Sequence, residues 1–261
     1  MTEQLVVKKD QGVGYLGLNQ PQKHNAISYD MWQGIAEAMD DFEADDGVRV
    51  IVVSGEGGRA FSAGADISQF EERRGSKEAT EVYNKAIQQA SQKLATIPKP
   101  TLARIEGYCI GGGLAMALCC DLRIASDDSQ FGIPAAKLGL GYGFGGIRSL
   151  VNLVGAGRAK EILFTAKRFP ASEAYDMGLI NRVLTRDEMD DFVNDYTETI
   201  AGNAPLTMKA CKQIIAEIAK DPDDRDLDLC KQLVEDCFAS EDYQEGRKAF
   251  MEKRKPVFRG K

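Results

Sequence analysis

The sequence predicts an α/β fold, and three observations carry that prediction. β-like runs at 48–54 and 101–106 each follow a segment with the apolar spacing of a helix. Such alternation of strand and helix is the pattern of layered α/β proteins. Finally, the triple glycine Gly111-Gly112-Gly113 lies between a β-like run and an apolar helix-like segment that closes near Asp121.

Taken in order, residues 4–19 read as a strand pair around Gly12 and Gly14, followed by the turn-rich Gln20-Pro-Gln-Lys-His-Asn25. Ser28 is placed to cap a helix carrying Met31, Ile35, Met39 and Phe42 at helical spacing. Asp45-Asp-Gly47 hands over to the strand at 48–54, and Gly55-Glu-Gly-Gly58 follows it. A helix is predicted over 77–96 from Tyr83, Ile87, Ala90 and Leu94, stopped by Pro98 and Pro100. The glycine-rich run 139–146 is read as a flexible wall leading into a helix at 147–154. Its GxGxxG match, 141–146, has neither the preceding strand nor the following acid of a dinucleotide fold. Beyond residue 200, three helix-like segments (205–220, 225–239 and 241–254) alternate with Asp221-Pro-Asp-Asp224 and Ser240. The expected organisation is an α/β core over 1–200 and a helical oligomerisation region over 201–261.

Composition narrows the function classes. With 261 residues, 43% of them apolar and 28% charged, the chain can bury a large core. A formal charge of −7 argues against a grip on nucleic acid, although local basic clusters can still hold a nucleotide-like ligand. No apolar run approaches the roughly 20 residues of a membrane span, and Met1-Thr-Glu-Gln has no signal-peptide character. A cytoplasmic protein is expected. The six cysteines, at 109, 119, 120, 211, 230 and 237, show no CxxC spacing, so no metal is expected. The one histidine, His24, reads as a surface residue of a polar turn, and no triad partner is evident. Phe-Ser-Ala-Gly also lacks the first glycine of a nucleophile elbow, which excludes a serine hydrolase.

The glycines at 111–113 suggest chemistry. At a helix start, unpaired N–H groups stand at the positive end of the helix dipole, and glycine lets a ligand approach them closely. An oxyanion hole can be made this way without a charged side chain.

Phe61-Ser-Ala-Gly-Ala-Asp-Ile67 and Glu106-Gly-Tyr-Cys-Ile-Gly-Gly-Gly113 together resemble the crotonase superfamily, also called the enoyl-CoA hydratase/isomerase family. The resemblance continues through Cys120-Asp-Leu-Arg-Ile-Ala125, Gln130-Phe-Gly-Ile-Pro134 and Tyr175-Asp-Met-Gly-Leu-Ile-Asn-Arg-Val183. It ends in Gln244-Glu-Gly-Arg-Lys-Ala-Phe-Met-Glu-Lys-Arg-Lys-Pro256. It implies a spiral of ββα units, a homotrimer or homohexamer, and a CoA thioester as substrate with no separate cofactor. By the same resemblance, the amides of Ala65 and Gly112 hold the thioester oxygen. Ser62 and Ala63 lie near the adenine and Lys23 near the phosphates, with Asp66, Ile67 and Gly111 in the same loops. Phe250 and Lys253 reach the CoA of a neighbouring subunit.

The sequence departs from the family's hydratases at two positions. Their two water-activating glutamates correspond to Ala115 and Ala135, and neither alanine can move a proton. Decarboxylation of a malonyl-type thioester needs no general base, because loss of CO2 itself generates the enolate. Tyr142 stands where the superfamily's methylmalonyl-CoA decarboxylases carry a tyrosine, and the chain's ending is similar to theirs, whereas Ala65 replaces their histidine. The leading expectation is therefore a lyase that decarboxylates a malonyl-type CoA thioester, with Ala65, Gly112 and Tyr142 as its catalytic groups. Two other expectations are a hydratase or isomerase using another acid, such as Glu71 or Glu72, and a catalytically silent acyl-CoA-binding protein.

Overall fold

The computed structural model describes residues 2–69 and 75–261. Two sheets are built from it. The larger takes β1 (Leu5–Asp10), β2 (Val13–Leu18), β3 (Val50–Gly55), β5 (Thr101–Ile105), β7 (Leu122–Ser126) and β10 (Arg182–Leu184), in that spatial order. β1 and β2 form an antiparallel hairpin, and every later pairing in this sheet is parallel. The smaller sheet contains β4 (Ala60–Ser62), β6 (Tyr108–Ile110), β8 (Gln130–Gly132) and β9 (Phe169–Pro170). Its first three strands are parallel and β9 joins antiparallel.

Alternation along the strands sorts residues between two cores. In β3, Val50 and Val52 face a cluster completed by Met189 and Val193 of α6 (Arg186–Ala201). Ile51 and Val53 face the main core. From the smaller sheet, Phe61, Cys109 and Phe131 point into that same core. The main core thus lies between the sheets, under α1 (Tyr29–Ala44) and α2 (Lys77–Thr96). Ser28 caps α1 by accepting from the Met31 amide, and Met31, Ile35, Met39 and Phe42 are all buried as their spacing predicts. Full burial of side chains of this kind stabilises by about 1.5–3 kcal/mol each. In α2, Tyr83, Ala90 and Leu94 are buried, and Ser76 accepts from the Ala79 amide at its start.

Several elements differ from the expectation. The apolar segment after the triple glycine is helical only as α3 (Gly112–Ala117), and turns carry it on to Asp121. The segment expected at 147–154 is the longer α4 (Phe144–Thr165), broken where Gly155 takes φ 74. A short α5 (Ala171–Asp176) precedes β10. The tail consists of α7 (Pro205–Ile218), α8 (Leu227–Ala239) and α9 (Glu241–Glu252). α7 is tied to the core by Lys212, whose Nζ donates to the Lys99 carbonyl at 3.0 Å and to Asp121 at 2.8 Å. Asp121 also accepts from the Thr101 amide and hydroxyl, which makes it the structural residue expected at that helix end. After α9 the chain folds back. The Arg259 and Gly260 amides donate to the buried Asp242, and Val257 donates to Glu245. Among the described residues, no helix is long and apolar enough to cross a membrane.

Candidate active site

The loops after β4 and β6, neighbours in the smaller sheet, meet at the strand ends. The first loop is held from both sides. Ala63 donates to the His24 carbonyl, Ile27 to that of Gly64, and Asp66 to that of Ile27. The Ser62 hydroxyl, fully buried, accepts from the Gly64 amide at 3.1 Å. Behind the second loop, Gly111 donates to the Gly132 carbonyl, fixing it to β8. Gly111 itself has φ 55 and ψ −116, a conformation open to glycine. At Gly113 the helix start rests on β4 so closely that a Cβ would lie 2.5 Å from the Ser62 carbonyl.

This packing brings the two predicted amides together. A Cβ built on Gly112 would sit 3.3 Å from the Ala65 nitrogen, and one built on Gly64 would sit 3.3 Å from the Gly112 nitrogen. Neither amide donates to an acceptor among the described residues. Two neighbouring main-chain donors with no acceptor among the described residues, beside a helix N-terminus, are suited to a carbonyl oxygen that gains negative charge.

Around them the lining is apolar. Ala115 is half-buried on α3, and Pro134 stands 3.8 Å from the position of a Gly111 Cβ, with Ala135 beside it. Tyr142 packs against the main core near Cys109 and Cys119. Its hydroxyl is buried without a hydrogen-bond partner. Burial, with smaller contributions from those two thiols, pushes the phenol up to about 12. It is therefore a neutral donor at ordinary pH. Burial likewise pushes Cys119 up to about 11 and raises Cys120, so these thiols, in the turns after α3, are inert.

Lys23 and Asp66 pair with each other. Lys23 Nζ donates to Asp66 Oδ2 at 2.8 Å, and the Ser68 amide and hydroxyl donate to Oδ1. Burial pushes the Asp66 carboxyl up, but these hydrogen bonds outweigh it and hold the group below its usual range. Asp66 is thus a structural anchor of the loop rather than an acid facing a substrate. Ile67, in the turn that follows, is 67% exposed.

The sequence bears a match to the family profile described as Enoyl-CoA hydratase/isomerase over residues 8–261. The chain belongs to this family. It is 34% identical to the crotonyl-CoA hydratase of Syntrophomonas wolfei over 256 residues, 98% of each chain. It is equally identical to the short-chain-enoyl-CoA hydratase of Clostridium acetobutylicum, over 96% of this chain and 95% of that one. Among solved structures, an enoyl-CoA hydratase/carnithine racemase from Magnetospirillum magneticum superposes with a TM-score of 0.93 at 32% identity. That match covers 100% of this chain and 97% of the other. The enoyl-CoA hydratase/isomerase fold expected from the sequence is therefore the observed one. The narrower likeness to methylmalonyl-CoA decarboxylases is not reflected in these relatives, which carry hydratase names.

Within the enoyl-CoA hydratase/isomerase frame, the remaining expected residues divide. Phe250 and Lys253 stand at the end of α9. Phe250 is 83% exposed and lines an apolar cavity of about 670 Å³ between the tail helices, apart from the oxyanion loops. Glu71 and Glu72 lie outside the described residues. His24 departs from its expectation as a surface residue. It is half-buried at φ 50, with Nδ1 buried and unpartnered. Sequence reading passed over Asn25, which organises the whole entry turn. Fully buried, it accepts from Gln20 and donates to the Glu56 and Ala60 carbonyls at 2.9 and 2.7 Å. The available signal was the residue type in a turn-rich stretch, since Asn tolerates the left-handed region it adopts here at φ 55 better than most residues.

Proposed function

We propose that this chain is an acyl-CoA enzyme whose Ala65 and Gly112 amides stabilise a thioester enolate. The single observation that carries the reading is the convergence of those two undonated amides. A hydratase or isomerase acting on an enoyl-CoA is the reading that the relatives' names support. It requires a proton acceptor other than Ala115 and Ala135, and the segment holding Glu71 and Glu72 is the one to supply it.

Tyr142 favours a second reading, decarboxylation of a malonyl-type thioester. There the C–C bond to the carboxylate breaks, CO2 leaves, and the electron pair enters the enolate held by the two amides. A proton then comes to C2, and a buried phenol with no other partner is suited to orient the carboxylate or deliver that proton. The apolar lining disfavours a solvated carboxylate, which assists its loss.

In the same proposal, residues 201–261 are an assembly region forming a homotrimer or homohexamer, and Phe250 and Lys253 reach a neighbouring subunit's CoA. The exposure of Phe250 and Met251, 83% and 80%, supports this.

The test is incubation with crotonyl-CoA and methylmalonyl-CoA in heavy water, followed by product mass. Hydration of crotonyl-CoA selects the first reading, and CO2 loss with deuterium at C2 selects the second. Gly112→Pro removes one donor and is expected to lower turnover by about a hundredfold or more under either. Full activity in that variant would overturn the amide assignment, and silence with both substrates would leave a binding protein.

A further inference from the structure

The charged ending Glu252-Lys-Arg-Lys255 divides into separate roles. Arg254 turns back along α9 and lays its two Nη atoms on the two oxygens of Glu245, at 2.6 and 2.8 Å, while its Nε donates to Glu252 at 2.7 Å. Lys253 is exposed and forms no ion pair among the described residues. Its backbone takes φ 56 and ψ 38, a left-handed cap position that glycine usually fills. A lysine in that conformation is strained, and such residues persist only where their surroundings fix them.

The surroundings are the last residues of the chain, which run back beside α9 toward its start. The Val257 amide donates to Glu245 at 2.9 Å, and the Arg259 and Gly260 amides occupy the two oxygens of Asp242 at 2.7 and 2.8 Å. In return, the Asp242 amide donates to the Lys261 carbonyl. Phe258 lies over Gly246, where a Cβ would stand 3.4 Å from its ring, and forms part of the wall of the cavity between the tail helices. A Cβ on Gly260 would meet Arg49 Nη1 at 3.4 Å and Pro205 at 3.5 Å, so the returning segment ends against the start of α7 and the approach to β3.

Burial does little to hold α9. Among the described residues it buries one apolar side chain, Ala249, while Phe250 and Met251 next to it are exposed. One methyl group removes little apolar surface from water, so the charge-assisted hydrogen bonds to the returning segment set where this helix end points. The Arg254 fork and the Val257 amide hold the Glu245 carboxyl down to about 2, which keeps the clasp ionised at ordinary pH.

We propose that residues 254–261 are a strap that presents Lys253 to the CoA of a neighbouring subunit, with Glu245 and Asp242 as its positioning residues. This role rests on the reading that Lys253 reaches across a subunit boundary.

Calorimetric titration of butyryl-CoA into the full chain and its variants tests the strap, with the mass of each followed by sedimentation equilibrium. Lys253→Ala is expected to weaken binding about tenfold. Glu245→Gln, which loses the ionic fork, and truncation after Lys255, which removes the ties to Asp242, should each weaken it about fivefold without changing the oligomeric state. Adding either change to Lys253→Ala should weaken binding by less than about a further twofold, because the strap acts through that lysine. A purely structural role would instead give losses that multiply. Glu245→Gln alone decides the matter if the truncated chain does not fold. Full affinity in Glu245→Gln, or a loss that multiplies with that of Lys253→Ala, would overturn the role of the strap and leave the subunit contact standing. Unchanged affinity in Lys253→Ala, or a wild-type mass of one chain, would overturn the contact itself and the strap's role with it. Dissociation of Glu245→Gln to single chains would overturn positioning in favour of assembly.

Discussion

Tyr142 makes its hydroxyl a liability for stability, because a buried phenol without a partner forfeits its hydration and gains nothing in return. Tyr142→Phe should therefore leave the midpoint of thermal unfolding unchanged or raise it, while turnover of the malonyl-type substrate drops at least tenfold. A fall in both would show that the hydroxyl stabilises the fold and that its loss acts through stability. Asp66 works the other way. Its carboxyl is held below the ordinary aspartate range, so its contribution to stability is fully present above about pH 4 and is lost as pH falls through the lowered value. Asp66→Asn should cost on the order of 1 kcal/mol at pH 7, discounted because Lys23 is 46% exposed. That difference should shrink on acidification below pH 4, as read from urea midpoints at several pH values. Most of the oxyanion loops could be read from their motifs. Neither the unpartnered state of Tyr142 nor the capture of Lys23 by Asp66, 43 residues along the chain, could be, since both depend on contacts between separate segments.

Four strands of the larger sheet and the helices α1 and α2 were legible as elements because they carry sustained periodicity, as in α1, where four predicted residues are all buried, whereas β7, β10 and α6 were not read as elements. The smaller sheet was not. Its strands have three, three, three and two residues, too short for any alternation to register, and they were visible only as motifs. The break in α4 was equally hidden, because Gly155 is one of several glycines there and only its φ of 74 distinguishes it. Two glycines separate conformational strain from collision. Gly155→Ala has open space around the new methyl, so only the positive φ opposes it, at about 1–2 kcal/mol. Gly107→Ala shares the positive φ of 65 and would also place a Cβ 2.2 Å from the Arg59 carbonyl. Denaturant unfolding should show a modest loss for the first variant and little folded protein for the second.

Across the whole molecule, the last strand ends at Leu184, before the expected boundary near residue 200, and Lys212, Asp121 and Thr101 join α7 directly to β5. A single calorimetric unfolding transition is the expected consequence, and two resolved transitions would show that the tail unfolds by itself. The proposed assembly gives a further prediction. Phe250→Asp combined with Met251→Asp, at two of the most exposed apolar side chains, should lower the mass measured by sedimentation equilibrium toward that of one chain. The placement of Tyr108 and Cys109 on opposite faces of β6 bears on a different kind of change, insertion and deletion. Losing one residue of the Glu106-Gly107 turn would slip the strand by one position and exchange its two faces. The phenol would then be driven into the main core and the thiol out to the exposed face, so a single frame-preserving codon loss would damage both faces of the strand together. The turn at 221–224 is exposed throughout and pairs with no strand, so it should accept length changes that β6 cannot.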